Sequence, residues 1–137
     1  MFLLDVNVLI AVADPDHEHH SRAHEFFLAN HRQGWATCPL TENGFIRIVG
    51  HPRSYPKGPG STDGARDILT QLCAHAGHHF WPDDLSLRGP LALPPSPHLT
   101  DHYLLSLAVH RRGQLVTMDR RIPADRVPGG AAAYLVL

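Results

Sequence analysis

FLL at residues 2–4 is a short continuous apolar run, the pattern of a strand buried on both faces, and the run continues to Val12 with only Asp5 and Asn7 set into it. Asn7 is a natural N-cap for a short helix over 8–13, because its side chain accepts from the free amides of a first turn. Residues 20–33 place Ala23, Phe26, Phe27 and Asn30 at i, i+3, i+4 and i+7, which predicts an amphipathic helix ending before Gly34. WATC (35–38) reads as a second strand, and Thr41 caps a helix through ENGFIRIVG. Prolines and glycines crowd HPRSYPKGPG (51–60), which must be a surface loop. Ser61 or Thr62 starts the clearest helix of the chain, with Ala65, Ile68, Leu69, Leu72, Cys73 and Ala76 along one face.

HHFW (78–81) predicts a third strand and the proline-rich GPLALPPSP (89–97) a loop. Thr100 caps a helix over 101–112 whose apolar stripe of Leu104, Leu107 and Ala108 is widened by Leu105 and Val109, so much of it is buried, and Gly113 ends it. LVTM (115–118) and AAAYLVL (131–137) complete five strands. Short apolar strands alternating with helices predict βαβ units, hence an α/β fold with a parallel sheet covered on both faces. At 137 residues the chain is one domain with one core, residues 1–137.

A parallel sheet places ligands at the carboxyl ends of its strands. Asp5 directly follows the first strand and Asp119 the fourth, while Glu42 and Asp101 each follow a Thr at a helix start. In a first turn the helix dipole favours an ionised carboxylate by about 0.3–1 kcal/mol. With the first and fourth strands adjacent, Asp5 and Asp119 emerge side by side, and like charges at close range raise a pKa unless a cation neutralises them. Mg²⁺, a hard ion held by carboxylates, waters and phosphate oxygens, suits such a set. Any one of these acids alone is more often a cap or turn residue. Asp5 resists that reading best, because a carboxylate ending a doubly buried strand is rarely placed there for stability.

Composition narrows the partners little. Twelve Lys and Arg balance thirteen Asp and Glu, a net charge of −1, so no whole-molecule field announces a polyanion or a membrane. Apart from Lys57 the cations are all Arg, the better fork for phosphate. Arg111, Arg112, Arg120, Arg121 and Arg126 cluster near Asp119, and Arg47 lies on the Glu42 helix. The bland alternative for each is a local ion pair. Cys38 and Cys73 form no CxxC pair, which implies a reducing, cytoplasmic setting rather than a disulfide framework. The apolar start lacks a basic leader segment, and no stretch reaches the ~18 apolar residues of a membrane span.

LLDVNVLIAV at the start, CPLTENGFIRIV at 38–49 and LTDHYLLSLAVHRRGQLVTMDRRI at 99–122 together resemble the PIN-domain ribonucleases, specifically the VapC-type toxins of prokaryotic toxin–antitoxin pairs. The resemblance spans essentially the whole chain. It implies a Rossmann-like three-layer α/β/α sandwich with a five-stranded, mainly parallel sheet, a Mg²⁺ site in which Mn²⁺ substitutes, and endonucleolytic cutting of structured RNA. It assigns Asp5, Glu42, Asp101 and Asp119 as catalytic and metal-binding acids, with Asn7 and Thr117 in support. The positive charge such a substrate needs near the acids makes Arg47, Arg111, Arg112, Arg120 and Arg121 weaker candidates for RNA binding. The partners that the resemblance implies are tRNA, with ribosomal RNA second, a VapB-type antitoxin whose tail covers the acids, and a second copy in a homodimer. His102 stands where the family often carries a small residue.

Two rival classes remain. DVNVL is close to the DxDxT of haloacid-dehalogenase-like phosphatases, and receiver domains also end their first strand in acids. Both need a lysine on the phosphoryl group, and Lys57 lies in the Pro/Gly loop, far from any strand end. An inactive PIN-like module that only binds RNA or protein is the other. The histidines of HEHH (17–20) with His24, and His75 with His78 and His79, include pairs at helical metal-binding spacing, but with no cysteine or carboxylate partners at defined spacing they read as solvated surface.

Overall fold

A computed structural model describes residues 1–137. Its strands are β1 (Phe2–Leu4), β2 (Trp35–Thr37), β3 (His78–Phe80), β4 (Gln114–Thr117) and β5 (Tyr134–Val136). The helices are α1 (Val6–Ala13), α2 (His20–Asn30), α3 (Pro39–Val49), α4 (Thr62–Cys73), α5 (Leu99–His110) and the single turn α6 (Gly130–Ala133). The strands form one sheet in the order β3-β2-β1-β4-β5, and every pairing is parallel. The expected α/β sandwich is therefore present, with β1 at its centre.

Alternation along each strand divides the core in two. Leu4, Trp35 and Val116 face α1, α2, α3 and α4, where they meet Val8, Leu9, Phe27, Phe45 and Leu69. Leu3, Ala36 and Leu115 face the other way onto Leu104, Leu105, Leu107 and Ala108 of α5. Because α5 carries apolar residues almost all round, it is buried on its sheet side and again under Ile122, Val127 and Ala133. No helix is long and apolar enough to cross a membrane.

Several element starts differ from the sequence reading. Asp5, not Asn7, caps α1: its Oδ1 accepts from the Val6 amide at 2.7 Å, so the helix begins one residue after the strand. α3 begins at Pro39, whose missing N–H costs nothing at a helix start, and Thr41 closes a capping box onto the Cys38 amide at 3.0 Å. α5 begins at Leu99 as the continuation of a 3₁₀ turn over Ser96–His98, so Thr100 has no capping role. It ends in a Schellman motif with Arg112 rather than glycine in the left-handed position, φ 56°. The bonds from Gly113 N to Ala108 O, 2.8 Å, and from Arg112 N to Val109 O, 3.0 Å, close it. The alanines at 131–133 form a helical turn instead of the start of β5.

Candidate active site

Three of the four predicted acids converge where the central strands end. Asp5, Asp101 and Asp119 line one open cleft of about 400 Å³, whose wall is completed by Val6, Asn7, Ile10, His17, Ile48 and Tyr55. β1 supplies Asp5 directly, α5 presents Asp101 from its first turn, and the segment after β4 brings Asp119. The β1–β4 pairing makes the first and last of these neighbours in space.

Asp5 is the fixed point. The Thr117 hydroxyl donates to its Oδ2 at 2.6 Å, the Asn7 amide donates to the same oxygen at 3.2 Å, and Val6 N–H holds Oδ1. Asn7 is itself clamped, because its Oδ1 accepts from Met118 N at 3.1 Å and its Nδ2 lies 3.1 Å from Thr117 Oγ1. Thr117 Oγ1 also accepts from the Asp119 amide at 3.1 Å. One hydroxyl thus ties together the residues that end β1 and follow β4. The Asn7 amide therefore orients the carboxylate rather than starting a helix.

Electrostatics distinguish the acids. Burial, with a further push from Asp119, raises the pKa of Asp5 against the opposing bonds from Thr117 and Val6. Burial also raises Asp101, reinforced by the negative charges of Asp5 and Asp119. Asp119 is lowered, chiefly by the Arg121 side chain, whose Nε donates to Oδ1 at 3.1 Å. Two half-buried to buried carboxylates held above their ordinary value, beside a third held ionised, form an all-oxygen set that a hard divalent cation would relieve.

The sign of that repulsion is measurable. Asp5 and Asp101 have folded pKa values above their unfolded ones, so their contribution is fully present below about pH 4 and is lost as pH rises through the folded values. In metal-free protein, the thermal midpoint of wild type relative to Asp5→Asn should fall as pH rises from about 4 to 7, and Mg²⁺ should abolish that fall.

Other predicted residues are placed elsewhere. Glu42 does not line the cleft; the Thr37 hydroxyl donates to its Oε1 at 2.7 Å. The Thr37 side chain shares the side of Trp35, toward α1–α4, and Glu42 follows it there. Arg111 and Arg112 precede β4 and so lie at the amino end of the sheet, about 13 Å of strand from Asp119. Arg111 is also committed to Asp84 at 2.7 Å. Arg120 and Arg121 are exposed beside the cleft, and exposed Arg47 borders a separate depression with His51 and Thr62. Buried His102 points away from the cleft toward a hollow under Leu85–Leu93, with Nδ1 unpartnered.

The sequence reading missed His17 and Tyr55 in the cleft wall and His98, whose charge stabilises ionised Asp101 and Asp119. His17 was hidden in a histidine-rich stretch and Tyr55 in the Pro/Gly loop. Tyr55 reaches α1 because its hydroxyl donates to Asp14 at the helix end.

An α/β/α sandwich with carboxylates gathered at the carboxyl edge of its central strands is a PIN-like domain. No model of a protein family matches the chain. Among individual proteins it is 48% identical over 122 residues to Ribonuclease VapC38 of Mycobacterium tuberculosis (strain ATCC 25618 / H37Rv), spanning 87% of this chain and 85% of that one. It is 39% identical over 138 residues to Ribonuclease VapC44 of the CDC 1551 / Oshkosh strain, covering 97% and 96% of the two. Ribonuclease VapC39 of the same strain is also 39% identical, over 97% of this chain and 98% of its own. The chain belongs to the VapC ribonuclease family.

Proposed function

We propose that this protein is a Mg²⁺-dependent endoribonuclease toxin that cuts structured RNA, with tRNA favoured over ribosomal RNA, and that a VapB-type antitoxin neutralises it in the cytoplasm. The observation that carries the reading is the convergence of Asp5, Asp101 and Asp119 in one cleft of a chain whose relatives are named ribonucleases. Those three carboxylates hold the cation, Mn²⁺ substituting for Mg²⁺. When bound, it supplies positive charge at the scissile phosphate and makes water more acidic. Kinship supports the antitoxin and a homodimer.

The chain's own groups do the positioning. Thr117 and Asn7 fix Asp5 so that its carboxylate does not reorganise during the reaction, which is the condition for electrostatic preorganisation. Arg121 keeps Asp119 ionised, and Arg120 beside it offers an exposed guanidinium to a backbone phosphate. His17 and Tyr55 give the opposite wall an imidazole and an aromatic face, suited to a phosphate and an unstacked base. Hydrolysis forms one bond from water oxygen to phosphorus and breaks the bond to O3′, so the products carry a 5′-phosphate and a 3′-hydroxyl. Thr117→Val should lower cleavage about 10–100-fold, the range seen when a group orienting a metal ligand is lost, while the thermal midpoint changes modestly.

The test is incubation of purified protein with total tRNA and ribosomal RNA in Mg²⁺ or EDTA, with the ends of every fragment mapped. Discrete Mg²⁺-dependent cuts with 5′-phosphate ends are expected. Cyclic-phosphate ends would contradict the mechanism, and intact RNA in Mg²⁺ would favour a binding module.

A further inference from the structure

The connection from β3 toward α5 runs through residues 81–95 without helix or strand, an uncommon length for such a segment inside a compact domain. It is tied to α5 where the Leu85 amide donates to the Tyr103 hydroxyl at 3.3 Å. Between the two lies a hollow of about 210 Å³, walled by Leu85, Leu87, Leu91 and Leu93 from the connection and by His102, Tyr103 and Ser106 from α5. It shares no residue with the acidic cleft. His102 is only 5% exposed, and its Nδ1 is shut off from solvent with no hydrogen-bond partner. Orphaned polar atoms of this kind are rare in folded proteins because each one costs stability. The Ser106 hydroxyl, one turn further along α5, gives its proton to the His102 carbonyl at 2.7 Å instead. The rim is apolar yet open to water: Leu87, Leu91 and Leu93 are three of the seven large apolar side chains that the molecule leaves exposed.

We propose that this hollow is a binding site for a small, uncharged, single-ring molecule that carries a hydroxyl, a ligand of the phenol class, oriented by His102. Size sets the first limit. A cavity of about 150 Å³ holds benzene, so 210 Å³ takes a ring and roughly two or three further atoms. Charge sets the second, because no Asp, Glu, Lys or Arg lines the walls and an ionised ligand would lose its water without gaining a partner. The orphaned nitrogen sets the third. A hydroxyl both donates and accepts, so it satisfies Nδ1 whichever ring nitrogen of His102 carries the proton. A seated ring also packs against the exposed leucines of the rim and takes part of their surface out of water. Apolar walls with a few polar groups that fix orientation are the usual composition of a small-molecule pocket. The nuclease reading is not needed for this site, and neither depends on the other.

Titration of the ¹⁵N-labelled full-length protein with phenol tests the site, beside toluene, the same ring without the hydroxyl, and benzoate, the ring with a charge. Phenol should move the amides of Leu85, Leu87, Tyr103 and Ser106 along one saturable curve, shift the Nδ1 resonance of His102, and bind more tightly than either companion. His102→Leu should cut the preference for phenol over toluene at least tenfold, a comparison in which the solvation of the two free ligands cancels. The wild-type readouts need no variant to fold. No saturable shift at these amides, an unmoved His102 Nδ1, benzoate bound as tightly as phenol, or a preference for phenol that survives His102→Leu would overturn the site. Tighter binding of N-acetyltyrosinamide than of phenol would overturn a free ligand and assign the hollow to a tyrosine of a partner protein.

Discussion

Asp5→Asn should lower the RNA cleavage rate about a thousandfold, the upper end of what removal of one preorganised electrostatic group costs. The same substitution should leave the metal-free protein as stable as wild type or slightly more so. Asparagine is as good an N-cap as aspartate, so its side-chain oxygen still accepts from the Val6 amide. What disappears is a buried negative charge that burial and Asp119 already disfavour, together with the Oδ2 acceptor of the Thr117 and Asn7 bonds, which keeps any gain small. A large kinetic loss without a stability loss separates a chemical role from a structural one. Single-turnover cleavage of a defined RNA, set beside thermal melts of both proteins in EDTA, reads both quantities. Wild-type cleavage by Asp5→Asn would remove Asp5 from the site.

Trp35→Ala should cost about 3–5 kcal/mol of folding stability. Trp35 is almost wholly buried at the start of β2, edge-on to Phe27 with ring centroids 5.0 Å apart and tilted against His78 at 4.7 Å. Its indole N–H reaches Ala76 O at 3.3 Å, a bond that alanine also removes. A domain of this size has ~5–15 kcal/mol in total, so the loss is about a fifth of it at the least. Urea unfolding at fixed pH, with m-values compared, measures it. A loss under about 1 kcal/mol would mean that the α1–α4 face repacks around the gap.

The sheet was legible because its strands are short, apolar and separated by helices with clear periodicity, and Asp5 was legible because nothing about a doubly buried strand calls for a carboxylate. Helix starts were harder. Asp5 and Asn7 are equally good caps locally, and the choice is made by Thr117 and Met118, more than a hundred positions away. The three alanines before β5 have no side chain to declare a strand, and Gly129, in the left-handed conformation at φ 78°, lets them close into a turn. Arg111 and Arg112 stand close to Asp119 in sequence, yet a whole strand runs between them. Glu42 lies in the first turn of α3, and the Thr37 hydroxyl that holds it comes from the strand before, a pairing that no local pattern encodes.

Gly77 shows how tightly one connection is set. Its φ is 84°, and a Cβ there would lie 1.9 Å from His31 O, so the crossover from α4 into β3 admits no side chain.

The central place of β1 has a consequence for synthesis. The first acid is made at position 5 and its partners at 101 and 119, and β1 gains its β4 neighbour more than a hundred residues after it is made. A nascent chain still threaded in the ribosome, surrounded by RNA, therefore holds Asp5 apart from Asp101 and Asp119, and the cleft comes together only after β4 has emerged.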